Sequence, residues 1–389
     1  MAQQSTSHTA SLTRPGQANA AGDARALYLK LFSGEMFKGF QNNAIARDLV
    51  MKRTLRNGKS LQFIYTGHTK AEYHTPGNSI LGNSDGAPPV AEKTITVDDL
   101  LISSAFVYEL DETLAHYELR GEISKKIGYA LAEKYARLIF RAITNGARKA
   151  SPITKAGFIE PGGTQIRVGA AGTPAQSEAF NADNLIAAFY DAAAALDEKG
   201  VSGDGRVGVL NPRQYYELIQ KVGDGGLVNR DVQGSALQSG QGVVEIAGIK
   251  IYKSMNIPFF DKYGVKYGIS GGPADPGNTG SFISQQIESA KAADTGINNN
   301  YGQGLQQSNG TATGGDGNFN HSCGLVFQRE AAGVVEAIGP QVQVTSGDVS
   351  VIYQGDVILG RLAMGADYLN PAACVELFAG NATGNSAWG

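Results

Sequence analysis

The chain has 389 residues, with 33 basic against 36 acidic side chains, a formal net charge of −3 and only 18% charged residues. That balance argues against a protein that grips nucleic acid through a broad basic face, while the length allows about two to three domains. The two cysteines, Cys323 and Cys374, stand far apart in sequence; they support neither a disulfide scaffold nor a thiolate metal site, and they fit a reducing compartment.

Residues 1–21 are rich in Ser, Thr, Gln, Ala and Gly and read as a flexible arm. The opening lacks an apolar core, so no secretory signal is expected. No run of about eighteen apolar residues occurs, so no transmembrane helix and no membrane association are expected either. In the stretch AGDARALYLKLFSGEMFKGF, Leu27, Leu31, Met36 and Phe40 recur at helical steps, with Asp23 placed to cap.

The segment RNGKSLQFIYTGHTKAEYHTPG, Arg56 to Gly77, combines several signals. Leu61, Phe63 and Tyr65 alternate with Gln62 and Ile64, the period of a strand. TPGNSILGNSDGAPP is turn chemistry throughout, and KTITV, Lys93 to Val97, alternates again. Two strands around a long polar tip form an extended hairpin, which is marginal alone in water and must lie on something.

The strongest helical pattern runs from about Asp111 to Arg148, carried by Leu114, Tyr117, Ile123, Ile127, Leu131, Leu138 and Ala142. From Phe180 the pattern becomes a compact α/β unit. Asn181 caps a helix bearing Leu185, Phe189, Ala192 and Leu196 that ends at Gly200. RVGVL (Arg206 to Leu210) reads as a buried strand, and Asn211-Pro212 opens a helix reaching Gln220. VVEIAGIKIYKSMNIP is a pair of short strands turning at Gly248, VSVIY (Val349 to Tyr353) a strand, and Ala373 to Phe378 the closing strand. Much of the chain's complement of 51 glycines falls in 264–322, a Gly/Asn-rich stretch read as a surface insertion.

Several residues imitate chemistry. A phosphate loop needs a glycine where Arg53 stands, and this Gly58-Lys59-Ser60 leads into a strand, so that reading fails. His68 and His74 would lie roughly 20 Å apart along an extended strand, too far for one metal; both read as solvated or interfacial. Asp111-Glu112 fit the first turn of the long helix, and Glu122 with Lys126 forms an i,i+4 pair on its solvated face. GGDGNFNH near Asp316 lacks the repeated acids of a calcium loop. No catalytic constellation, metal site or cofactor is expected.

Taken together, AAGDARALYLKLFSGEMFKGF, NGKSLQF with GHTKAEYHTPG, KTITVDDLLISSAFVYELDETLAHYELRGEISKKIGYALA and DVILGRLAMGADYLNPAACVEL resemble the major capsid proteins of short-tailed T-odd (autographivirus) phages, including cyanophages. The resemblance covers most of 20–220 and 323–380; 264–322 does not match. It implies the α+β Hong Kong 97-type capsid fold. The corresponding division is an N-terminal arm (1–50), an extended β-hairpin loop (51–97), and a peripheral domain (98–179 and 326–366) with its spine helix at about 111–148. An axial α/β domain (180–325 and 367–380) and a tail (381–389) complete it.

The function so implied is a coat subunit that self-assembles as pentamers and hexamers into an icosahedral shell around double-stranded phage DNA. Implied partners are other copies, a scaffolding protein, a portal protein at one vertex, DNA held without sequence specificity, and a decoration protein. The implied location is the virion capsid, assembled in the bacterial host cytoplasm. Leu61, Phe63, Tyr65, His68, Lys70, Tyr73 and His74 are the candidate inter-subunit contacts. Some shells of this fold cross-link a loop lysine to a neighbour's asparagine; Lys59 and Lys70 lie on the loop, yet nothing marks either as the desolvated amine this requires. The alternatives are an encapsulin-like compartment of the same fold and an intracellular α/β enzyme, the latter weakened by the lack of any site constellation.

Overall fold

The computed structural model describes residues 45–69, 73–77, 88–97, 100–108, 119–153, 160–169, 176–220, 244–254, 256–257, 322–344 and 354–379. Residues 1–44 of the arm, the tip of the hairpin loop, Asp111-Glu112, Leu114, Tyr117, nearly all of the 264–322 insertion, Val349–Tyr353 and the tail lie outside these residues.

Strands β1 (Met51–Thr54), β4 (Leu101–Tyr108), β10 (Ala332–Val344) and β11 (Gly355–Tyr368) form a four-stranded sheet in the order β1-β10-β11-β4. β1 runs parallel to β10, and the other pairs are antiparallel. Across this sheet lies the long helix Leu119–Ala147, 29 residues and so roughly 44 Å long at the helical rise. Ile127, Leu131, Tyr135, Ile139, Ala142 and Ile143 are all buried. A helix covered on several sides must still satisfy its polar groups. Thr144 Oγ1 donates to the Phe140 carbonyl at 2.8 Å, and Arg137 pairs one turn back with Glu133 at 2.5 Å.

The second sheet has six strands in the order β5-β12-β9-β6-β8-β7. These are β5 (Thr164–Arg167), β6 (Val207–Leu210), β7 (Val244–Ile246), β8 (Ile249–Lys253), β9 (Ser322–Phe327) and β12 (Cys374–Phe378). β6 and β9 are buried at every residue because both faces are covered. Val207, Val209, Leu325 and Phe327 join the core cluster of the long helix, whereas Leu210, Val326, Val375 and Leu377 pack with the helices Ala182–Glu198 and Pro212–Gln220. The two free cysteines sit within these layers. Burial pushes the Cys323 thiol up to about 12 and raises that of Cys374 as well.

Asn181 caps as expected, its side chain accepting from the Asp183 N–H at 3.0 Å, and Leu185, Phe189, Ala192 and Leu196 are the buried stripe. At the next helix the roles reverse. The Asn211 side chain is buried with no partner among the described residues, and the Gln214 side chain reaches back instead to accept from the Asn211 N–H at 3.3 Å. The β7–β8 hairpin turns on Ala247 (φ 51°) and Gly248 (φ 75°). Such two-residue turns need positive φ at both centres, which an alanine adopts at a cost. Ala247→Asn is expected to stabilise the subunit by about 0.5–1 kcal/mol. A urea midpoint that stays put or falls would remove this account of the turn.

Residues 164–167, in the 98–179 grouping, form β5, hydrogen-bonded to β12 in the six-stranded sheet. Residues 51–54 form the edge strand of the four-stranded sheet. One expectation is corrected here: Glu122 pairs at i,i+3 with Lys125, at 3.5 Å, not with Lys126.

Candidate functional site

β2 (Ser60–Thr66) and β3 (Val90–Thr96) pair antiparallel from Ser60↔Thr96 to Thr66↔Val90, and form a two-stranded sheet of their own. The alternation in the sequence becomes two faces. On the inner face Leu61 and Phe63 pack with Ile95 against Leu55, Val335 and Leu369. Arg53 lies over the Phe63 ring at 5.3 Å. Gly365 of β11 allows the close approach: a Cβ there would collide with the Thr96 carbonyl.

A polar bond fastens the same face. Lys93 Nζ meets Asp367 Oδ2 at 2.8 Å and stands 3.7 Å from the centre of the Tyr368 ring. Burial alone would lower the Lys93 pKa, but the hydrogen bond and charge of Asp367 outweigh it, and the net shift is upward. Tyr65 is raised by burial and then by the charge of Glu160.

The outer face carries Gln62, Ile64, Thr66, Val90, Glu92 and Thr94, all exposed. Ile64 is 76% exposed and Val90 63%. Because Ile64 opposes Glu92 and Thr66 opposes Val90, the two apolar side chains are diagonal neighbours on one surface.

Of the candidate contacts, then, Leu61 and Phe63 are half-buried on their own chain, which leaves them less to offer another copy. Tyr73 is fully exposed, His74 is exposed, and Lys70 lies outside the described residues. His68 is not merely solvated: its Nδ1 stands 2.9 Å from Glu160 Oε2. Of the two cross-link candidates, Lys59 is the one among the described residues, and it is exposed. The amine that burial brings down, to about 8, is Lys199, which borders a cleft of about 770 Å³ under the hairpin with Arg53, Tyr65, His68, Glu330 and Asn370. Among the described residues no three His, Cys, Asp or Glu side chains converge to hold a metal, and no helix is long and apolar enough to cross a membrane.

Three residues that matter most to this architecture were not singled out from the sequence: Glu160, Glu336 and Glu376. Each is buried. Glu336 of β10 accepts from Arg47 Nε and Nη2 at 3.0 Å each and from the Tyr135 hydroxyl at 2.8 Å, with Lys52 at 3.3 Å. Glu376 of β12 receives Arg148 Nε at 2.8 Å, Arg148 Nη2 at 2.6 Å and Gln165 Nε2 at 2.6 Å. The one available signal was an acid inside an otherwise apolar strand, as in GVVEAI and CVELF.

A long helix lying over a four-stranded sheet, a layered six-stranded unit and a hairpin riding on the first sheet together define the fold of phage capsid proteins of the Hong Kong 97 type. The chain belongs to the Gp10A-like major capsid protein family, which matches residues 62–281. It is 30% identical over 208 residues to the major capsid protein of Escherichia phage T7, covering 51% of this chain and 58% of that protein. The chain spans about half the length of the curated relatives it matches. Among solved structures it is similar to the capsid of the cyanophage P-SCSP1u, with a TM-score of 0.65 and 28% identity over 94% of this chain and 97% of the other. The mature capsid of bacteriophage PhiM1 shares the fold at a TM-score of 0.56 and 16% identity, over 93% and 98% of the two chains.

Proposed function

We propose that this chain is the coat subunit of a phage shell, assembling with copies of itself as pentamers and hexamers around double-stranded DNA. The observation that carries the reading, within a family of major capsid proteins, is the hairpin's division of labour. Its inner face rests on the chain's own sheet, and its outer face shows the Ile64–Val90 apolar pair with none of the described residues covering it. A second copy is the occupant. Many such contacts repeated through a closed shell stabilise it without any one being tight.

In this reading the four-stranded sheet and long helix form the peripheral unit, and the six-stranded sheet forms the axial unit. The exposed members of the candidate set, His68, Tyr73 and His74, with Ile64 and Val90, meet the neighbour, half-buried Tyr65 adds what its inner-face position leaves free, and Lys70 joins them from the loop. Scaffolding, portal and decoration proteins are the further partners, and the place of action is the virion, assembled in the host cytoplasm. The near-neutral charge suits DNA packed densely and later released. The role is mechanical, not enzymatic. No observation favours the compartment or enzyme alternatives.

The test is expression with and without a candidate scaffolding partner, followed by electron microscopy. Closed shells are expected, and a soluble monomer under every condition would sink the reading. A second arm replaces residues 68–88 with Asn-Gly, keeping the β2–β3 ladder. The expected product is a folded subunit with particle yield at background; normal particles from it would remove the loop tip, residues 68–88, from the interface.

A further inference from the structure

We infer that Glu160 is the positioning residue that sets the direction in which the extended loop leaves the subunit, and that it does so on behalf of the six-stranded unit. The inference rests on the capsid reading, since the loop's direction matters only if it must meet another copy.

The hairpin is held at two places by different partners. Its body lies on the four-stranded sheet, through Leu61, Phe63 and Ile95 and the Lys93–Asp367 pair. Its neck does not. The ladder ends at Thr66↔Val90, and Gly67 N–H donates to the Pro89 carbonyl at 2.8 Å. The next donor, His68 N–H, leaves the hairpin and gives its hydrogen to Glu160 Oε1 at 2.5 Å, while the His68 ring meets Oε2 at 2.9 Å. The Glu160 side chain is 2% exposed and that of His68 74%, so the acid is the fixed member of the pair. Gly67 lets the neck come this close: a Cβ there would stand 2.5 Å from Glu160 Oε1 and 2.7 Å from Ile153 Cδ1.

Glu160 is itself tied away from the hairpin. Two residues on, the Gly162 carbonyl accepts from Lys199 Nζ at 2.5 Å, and the same amine donates to the Thr164 hydroxyl. Lys199 is the C-cap of the Ala182–Glu198 helix. Gly163 N–H donates to the Lys149 carbonyl at the end of the long helix, and Thr164 opens β5 in the six-stranded sheet. The path therefore runs from the helix cap through residues 162–164 to Glu160, and from Glu160 to the loop's neck. With body and neck bound to different units, any displacement of one unit against the other turns the loop.

The test uses the full-length subunit with Glu160→Ala, Glu160→Gln and Lys199→Met, followed by hydrogen exchange at residues 67–69, melting and particle yield. For Glu160→Ala the expected result is exchange at the His68 amide faster by about tenfold or more, an unchanged melting midpoint and particle yield at background. Glu160→Gln keeps an acceptor for that amide and is expected to match wild type on all three. Lys199→Met is expected to shift exchange at 67–69 in the same direction by a smaller factor. Normal particles from Glu160→Ala, or Glu160→Gln failing as badly as alanine, would overturn the inference. Should Glu160→Ala not fold, Gly67→Ala crowds the same carboxylate and carries the same readouts. If wild type itself forms no particles, it is the capsid reading that fails, and the exchange measurements still decide the clasp.

Discussion

Replacing Arg148 with methionine is expected to destabilise the unassembled subunit by roughly 3–5 kcal/mol, the cost of leaving a buried charge without its partner. Glu376 lies fully inside the six-stranded sheet at 0% side-chain exposure, and Arg148 is 5% exposed. The guanidinium clasps the carboxylate with two nitrogens, and Gln165 fills the remaining site on Oε2. Removing the arginine leaves the amide of Gln165 as the named donor to a carboxylate that water cannot reach. The double variant Arg148→Met with Glu376→Leu removes both charges and is expected to recover much of the loss, because a buried pair returns little more than its own desolvation. Urea unfolding of the three proteins decides the point. A single variant within about 1 kcal/mol of wild type would show that the pair is not the closing bond between the long helix and β12.

Glu336→Ala is expected to cost roughly 2–3 kcal/mol, less than the first because Arg47 and Lys52 reach solvent once released. The pH dependence supplies its signature. Burial would raise the Glu336 carboxyl, but the hydrogen bonds from Arg47 and Tyr135 and the nearby cations prevail, and its net shift is downward. A depressed acid contributes its stability above the unfolded carboxylate range and loses it as pH falls through the folded value. Tyr135 is raised, by burial first and then by Glu336, so its share is present below the ordinary phenol value and is lost as pH rises past about 10. Wild-type stability is therefore expected to hold between about pH 5 and 9 and fall on both sides. Glu336→Gln should flatten the acid limb. An unchanged acid limb would remove Glu336 from the acid response.

Much of the architecture was legible because the signals are local. Leu61, Phe63 and Tyr65 against Lys93 to Val97 marked a hairpin with two faces. Asn181, Gly200, Pro212 and Gly248 punctuated the α/β unit as observed, while Asn211 marked the helix start without capping it. Capping, turn chemistry and period depend on residues within a few positions of one another, and the sequence displays those directly. What the pattern did not display has the opposite cause in two places. Whether residues 164–167 lie in one sheet or the other depends on β12, which is more than 200 residues distant. His68 looked solvated because its acid stands 92 residues away.

By itself, then, the sequence determined the hairpin, the long helix, the helices and strands of the α/β unit from Asn181 to Lys253, the period of each and the hairpin's need for support. A repeat of two or of 3.6 decides which side chains share a face before any partner arrives. Only the tertiary structure decided which face was already used and which remained free. It laid Leu61 and Phe63 on Val335 and Leu369, left Ile64 and Val90 in the open, and brought Arg47 to Glu336, Arg148 to Glu376 and Glu160 to the loop's neck. Buried charges must find partners wherever the chain's path puts them, and no local pattern records that distance.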